Sequence, residues 1–421
     1  MLDYINLKYK PSKKDLIAEY YVEPHRMDLK KVSNHLAAES SIGTWDDVVT
    51  LSPKIANRLK PSVFSINKKK KIIKIAYHEE LFENGNMPQI LSSIAGNIYG
   101  MKAVRNLRLL DIEFTKSQVK SFKGPRYGIK GIRKITKVKK RPLVGTIVKP
   151  KVGLTSKQHA QVAFNAWVGG LDAVKFDENL TSMKFNKFEK NIKLTEKLRR
   201  KAERITGEKK LYLANITAET DEMIRRAKFV EKHGGNYLMV DILTMGFAAL
   251  QTVRNHVKLP LHGHRAMHAA LTKGNNGMSM LVIAKIARLL GIDTLHIGTA
   301  HIGKMSESKK STLDIEKEIE NPNMKAHGEL LKQNWHGMKP CLAVASGGLH
   351  PGHVPKLIKL MGNDVQIQAG GGIFAHPSGG LAGARALRQS VEATMQKIPL
   401  RTYAKTHPEL AAAIKRWGIP K

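Results

Sequence analysis

Leu143-Val144-Gly145-Thr146-Ile147-Val148 is an apolar run that stops abruptly at Lys149-Pro150-Lys151. Its length, its β-branched residues and the charge at its end read as a buried strand that carries polar side chains to a rim. The pattern then repeats. Lys157–Trp167 reads as an amphipathic helix, and Leu171-Asp172-Ala173-Val174 as a second strand ending in Lys175-Phe176-Asp177-Glu178. Six more strands are read at Leu211–Ala214, Tyr237–Val240, Leu259–Leu261, Thr294–Ile297, Leu342–Ala345 and Val365–Gln368. Helical patterns separate them, among others at Lys187–Thr206, Thr220–Lys232, Met278–Leu290 and Gly380–Met395. Eight β–α repeats predict an α/β chain closed into a (β/α)8 TIM barrel. An open, doubly wound sheet is the runner-up, but it does not call for polar residues at the end of all eight strands.

Upstream, the texture is that of a smaller α+β domain. Strands are read at Leu16–Val22, Val63–Ile66, Lys71–Tyr77 and Val104–Phe114, and helices at Val32–Glu39 and Met87–Ile98. The run Lys68–Lys71 reads as a solvated hairpin turn. A basic connector, 121–142, holds Gly124, Pro125, Gly128, Gly131 and Pro142. The expected division is therefore an N-terminal α+β domain over 1–124 and a barrel domain with a C-terminal helical extension over 125–421.

The 421 residues are 42% hydrophobic and 25% charged, which excludes a disordered chain. No apolar run is long enough to span a membrane. Met1-Leu2-Asp3-Tyr4 lacks the basic and apolar regions of a secretory leader. One cysteine, Cys341, excludes an internal disulfide and a cysteine-based zinc site, and suits a reducing cytoplasm. The net charge of +36 attracts polyanions and anionic substrates without choosing between them. No aromatic-interleaved basic motif marks a nucleic-acid module, so no specific nucleic-acid partner is expected.

In a barrel of this kind chemistry collects at the carboxyl ends of the strands. Those ends carry Lys149 and Lys151, then Lys175, Asp177 and Glu178, then Asn215 and Thr217, Asp241, His262-Gly263-His264-Arg265, His296 with Lys304 further on, Ser346-Gly347-Gly348, and Gly370-Gly371-Gly372. Each alone reads as a surface turn or a satisfied rim contact; at successive strand ends they read as a site. Glycine-rich turns after the last two strands suit a phosphate, because backbone N–H groups can approach it. Arg265, His264, His296 and Lys304 suit further anionic oxygens. Asp177 and Glu178 are hard oxygen donors suited to Mg²⁺. Lys175 lies two residues before Asp177, on the same side of an extended strand. An ammonium cannot bind Mg²⁺, so Lys175 is a counter-charge or is chemically altered.

Several stretches resemble signatures of the ribulose-1,5-bisphosphate carboxylase/oxygenase (RuBisCO) large-subunit family. They are Gly145–Leu154, Gly169–Asn179, His262–His268 and Ala345–His350. Ala38–Trp45 and Gly96–Gly100 resemble the segments that a partner subunit lends to the site. The short N-terminus looks most like archaeal form III large subunits, which work without a small subunit. Two departures stand out: Phe176 where the family commonly has Asp, and Met305-Ser306-Glu307-Ser308 where it has an acidic residue and a glycine.

The resemblance implies carboxylation of ribulose 1,5-bisphosphate to 3-phosphoglycerate, with oxygenation by O₂ on the side, through an enediolate stabilised by Mg²⁺, in AMP or nucleoside salvage. Lys175 takes up an activator CO₂ as a carbamate and, with Asp177 and Glu178, holds the metal. His264 moves protons, Lys149 protonates the last carbanion with Lys151 tuning it, and Lys304 reaches the incoming CO₂. Glu39 of a second copy positions Lys304, and Asn97 of that copy binds near the reacting carbons. One phosphate falls to Thr44 and Trp45 of the second copy with Gly348, Gly370 and Gly371. The other falls to Arg265 and His296, and Ser346, followed by Gly347, contacts a sugar hydroxyl. A homodimer or a ring of dimers follows. The alternatives are a RuBisCO-like enolase or isomerase that does not carboxylate and, in another class, a basic polyanion-binding protein.

Overall fold

The computed structural model describes residues 2–43, 49–305 and 307–420. Contacts group the chain into two compact units. One comprises Met1–Lys123, Met267–Leu289 and Asn321–Met338; the other comprises Gly124–Ala266, Leu290–Glu320 and Lys339–Lys421.

The first unit is built on a sheet of β1 (Asp15–Pro24), β2 (Ser62–Asn67), β3 (Ile72–His78) and β4 (Val104–Glu113). β1 lies between β3 and β4, antiparallel to both. The short strand Gly277–Met278 adds in parallel to β4. The helix after it, Met280–Leu289, falls in this unit by its contacts, while in chain order it stands between the fifth and sixth strands of the barrel, where the alternation of patterns places it. It is buried on every side. Its Lys285 Nζ is 2.6 Å from Asp111 Oδ1 on β4.

The helix expected over Met87–Ile98 ends at Ile94. Gly96 permits the break, since a Cβ in the conformation it adopts would stand 2.1 Å from the Ser92 carbonyl oxygen. The chain restarts as a short 3₁₀ turn, Asn97–Gly100. That break brings Asn97 Nδ2 to within 3.2 Å of Glu39 Oε1, at the end of the helix Leu29–Glu39.

The second unit is a closed barrel of eight parallel strands: β5 (Leu143–Ile147), β6 (Ala173–Lys175), β7 (Leu211–Asn215), β8 (Tyr237–Asp241), β9 (Leu261–His264), β10 (Thr294–His296), β11 (Leu342–Ser346) and β12 (Val365–Gln368). β12 pairs with β5 to close it. Most strand residues are buried, as expected of a parallel sheet covered on both faces.

The basic connector is not merely a linker. Gly128–Thr136 is a helix, and its Ile132 joins Leu143, Leu211, Tyr237, Met239 and Leu342 in one apolar cluster. Isoleucines at 129, 132 and 135 give that helix a single apolar face. Asp293, just before β10, holds its start by accepting from the Tyr127 and Gly128 N–H groups at 2.6 and 3.0 Å. The amino ends of the strands are thus covered, and the carboxyl ends are left for chemistry. Among the described residues no helix is long and apolar enough to cross a membrane.

Candidate active site

Lys175 closes β6 with only 1% of its surface exposed. Its Nζ lies 3.3 Å from Glu178 Oε2 and 3.4 Å from Met239 Sδ. Strand alternation sends Phe176 the other way, into an aromatic cluster with His159 and Tyr212 at ring distances of 4.9 and 5.3 Å. The departure at Phe176 is therefore a packing matter. Asn215, at the end of β7, donates to the carbonyl oxygens of Glu178 and Leu180 at 3.4 and 3.2 Å, and so pins the turn that carries both acids.

Lys149 lies just past β5 and places Nζ 2.7 Å from Asp177 Oδ2. Lys151 Nζ is 3.8 Å from Glu178 Oε1. Across the rim, His264 Nδ1 is 2.8 Å from Asp241 Oδ1, and its Nε2 is 3.6 Å from Glu178 Oε2. The His296 ring lies 5.0 Å from that of His264. His262 Nε2 and His296 Nε2 are buried with no hydrogen-bond partner. Buried polar atoms left in this state are costly, and such exceptions concentrate where a ligand completes the set.

Burial lowers the Lys175 ammonium below its ordinary value, against the opposing pull of Glu178, Asp241 and Asp177. Burial pushes the Glu178 carboxyl up, but Lys175, His264 and Lys151 outweigh it and hold Glu178 at about 2. Burial, reinforced by the surrounding cations, pushes His262 and His296 well below the usual imidazole range, so both are neutral.

The donor set fits a divalent cation in one specific way. Asp177 and Glu178 are neutralised by Lys149 and Lys175. Among the described residues no group of three His, Cys, Asp or Glu side chains is arranged to hold a metal. The Lys175 amine lies beside the two acids and could offer a cation an oxygen only after chemical modification.

Two further groups sit beyond this cluster. Arg265, buried just past β9, donates from Nη2 to Glu307 Oε1, while its Nη1 is buried without a partner. Lys304 donates its backbone N–H to the Gly347 carbonyl oxygen at 2.9 Å. Its side chain lies so close over Gly348 that a Cβ there would be 2.6 Å from Lys304 Cγ. Ser346 ends β11, and Gly370 and Gly371 follow β12 at the start of the short helix Gly371–Phe374. Lys149 Cε reaches the space beside Gly370.

Lys149, Lys151, Lys175, Asp177, Glu178, His264 and His296 thus converge. Arg265 is tied to Glu307, and Lys304 to Gly347 and Gly348. Glu39 and Asn97 form their own pair on the first unit. Thr44 and Trp45 lie outside the described residues. Asp241 and Glu307 join the site through their contacts with His264 and Arg265. Asp241 was legible as a carboxylate at a strand end directly opposite His264 in the β8–β9 register. Glu307 was not, because its partner is 42 residues away.

A family model for the catalytic domain of the ribulose bisphosphate carboxylase large chain matches residues 128–417, and a model for the N-terminal domain of that chain matches residues 3–118. The chain belongs to the ribulose bisphosphate carboxylase large-chain family. A ribulose bisphosphate carboxylase of Methanosarcina barkeri is 51% identical over 99% of both chains. Among solved family structures, a dimeric archaeal Rubisco from Hyperthermus butylicus matches with a TM-score of 0.93 at 41% identity, over 99% of both chains. An octameric Rubisco from Pyrococcus horikoshii matches with a TM-score of 0.92 at 42% identity, over 99% of this chain and 97% of that one. The family likeness therefore covers both units.

Proposed function

We propose that the protein carboxylates ribulose 1,5-bisphosphate, adding CO₂ and water to give two molecules of 3-phosphoglycerate, with O₂ as a competing substrate. The observation that carries this reading is the buried Lys175 amine among Asp177, Glu178 and Asp241, in a chain of this family. An uncharged amine attacks CO₂ at carbon, forms an N–C bond and releases a proton, and the product is a carbamate. Lowering of the Lys175 pKa by burial raises the uncharged fraction near neutral pH. The carbamate with Asp177 and Glu178 would hold Mg²⁺, which supplies Lewis-acid polarisation of substrate oxygens.

The remaining roles fall to side chains of this chain. In this reading a carbamate on Lys175 would take the C3 proton, giving the enediolate. His264, fixed through Nδ1 by Asp241, presents Nε2 for proton transfer during enolisation and hydration. Lys149 delivers the final proton, and Lys151 adds a second cation that favours its release. Lys304 supports the new carboxylate. Arg265 and His296 bind one phosphate, and the turns at Gly347–Gly348 and Gly370–Gly371 bind the other, with Ser346 on a hydroxyl.

A homodimer is the smallest working unit in this reading, because Glu39 and Asn97, with Thr44 and Trp45, serve the site of a second copy. No small subunit is needed. Larger rings of dimers, nucleoside salvage as the pathway and a cytoplasmic location complete the proposal.

The test is ¹⁴CO₂ fixation by protein incubated with bicarbonate, Mg²⁺ and ribulose bisphosphate. Acid-stable label in 3-phosphoglycerate is expected. Folded protein that releases no labelled product, yet exchanges the C3 proton, would identify an enolising relative instead.

A further inference from the structure

We propose that Glu307 is an internal competitor for the substrate. Its carboxylate holds the Arg265 guanidinium where a phosphate of the bisphosphate binds, and substrate binding exchanges the one anion for the other. The inference rests on the reading of Arg265 as a phosphate ligand.

Arg265 is 5% exposed. A guanidinium taken that far from water needs an anion, and Glu307 provides one whose side chain is itself only 16% exposed. The pairing is incomplete. Nη2 donates to Glu307 Oε1, but Nη1 is buried with no partner. Arginine pairs best through both arms of its fork, and a phosphate offers three oxygens and up to two charges against one for the carboxylate. The unused arm and the unpartnered His296 Nε2 are donors that Glu307 leaves for an incoming phosphate.

The same stretch of chain also covers the other phosphate turn. Lys304, three residues before Glu307, donates its backbone N–H to Gly347 and lies over Gly348. Both anion positions of the barrel rim are therefore covered from one short segment, by two separate contacts. Displacing Glu307 from Arg265 loosens the anchor of the segment that carries Lys304, so binding of the phosphate and release of that lysine are linked. An ion pair closed about nine-tenths of the time lowers the apparent affinity for phosphate about tenfold.

The experiment measures the KM for ribulose bisphosphate in Glu307→Gln, Arg265→Ala and the double variant. Glu307→Gln is expected to lower KM by roughly three- to tenfold. Arg265→Ala is expected to raise it strongly, and in that background Glu307→Gln is expected to have no effect. An unchanged KM in Glu307→Gln, or the same decrease in both backgrounds, overturns the proposal; the second outcome reduces it to general charge. An Arg265→Ala variant with unchanged KM overturns the phosphate reading itself. Should a variant fold poorly, the unaltered protein gives a second readout. Inorganic phosphate alone is expected to speed tryptic cleavage after Lys304 and Lys309, and an unchanged rate at saturating phosphate also overturns the proposal.

Discussion

Glu178, just past the carboxyl end of β6, and Glu208, just before the amino end of β7, lie at opposite ends of one barrel. Both carboxyls are pushed up by burial and pulled down further by neighbouring cations, to about 2 in each case. The cations differ in their purpose. Glu208 is 2.7 Å from Lys210 and 2.9 Å from Arg388, and Arg141 grips Asp172 with two bonds of 2.6 and 2.7 Å beside them. Arg388 also lies 2.8 Å from Glu392, so three carboxylates at that end face three cations. Around Glu178 the groups are not matched in this way: burial lowers the Lys175 ammonium below its ordinary value, the Nε2 atoms of His262 and His296 are left without a partner and Arg265 uses one arm of two. Equal pKa values thus report stability at one end and readiness for a ligand at the other.

The sharpest way to break this comparison is Lys175→Ala. Loss of the carbamate should cut ¹⁴CO₂ fixation by roughly 10³-fold or more. The thermal midpoint should move by no more than about 4 °C, because the amine contributes little net stability in its strained setting. A variant that keeps full activity would remove the carbamate. In the unaltered protein, activation by CO₂ should rise with pH, since only the uncharged amine reacts. Its midpoint should lie below the 10.5 of an ordinary lysine. ¹³C NMR of the carbamate checks both the sign and the position.

Asp293→Ala should do the reverse. Asp293 is fully buried, accepts from the Tyr127, Gly128 and Leu261 N–H groups, and lies 3.5 Å from Arg254. Removing it leaves three buried donors and a buried cation unmatched. The expected cost is about 3–5 kcal/mol in chemical denaturation. The kcat per folded molecule should stay within about twofold, because nothing at the carboxyl rim touches Asp293. A large loss of kcat at full folding would show that the two ends are not separable.

The eight strands were legible because a parallel strand buried on both faces must be a short apolar run, and each such run here is followed by charged or polar residues or glycine. The rim was legible for the same reason: Lys149, Lys175, Asp177 and His264 belong to strand ends, where sequence position fixes location. What sequence could not convey were contacts set by tertiary packing. Ile132 reads as part of a basic linker until the cluster with Leu143 and Tyr237 forms. Met280–Leu289 has a helical pattern, but nothing local says that its Lys285 pairs with Asp111 on β4. Glu307 looks like a surface acid until Arg265 is placed beside it.

The smallest effect expected is at Glu208, and its sign follows from linkage. Its folded pKa of about 2 lies below the ordinary 4.5 of a glutamate, so ionisation adds stability that is fully present above 4.5 and is lost as the pH falls through 2. The side chain is 36% exposed, so solvent screens much of this, and Glu208→Gln should cost only about 1 kcal/mol at pH 7. Paired denaturation curves at pH 7 and near pH 2.5 check it. The gap between the two proteins should narrow in acid, because the unaltered protein then begins to lose the charge that the variant already lacks. A gap that stays constant across that range would mean that Glu208 acts through shape or hydrogen bonding, and the match of charges at the amino end would no longer explain its stability.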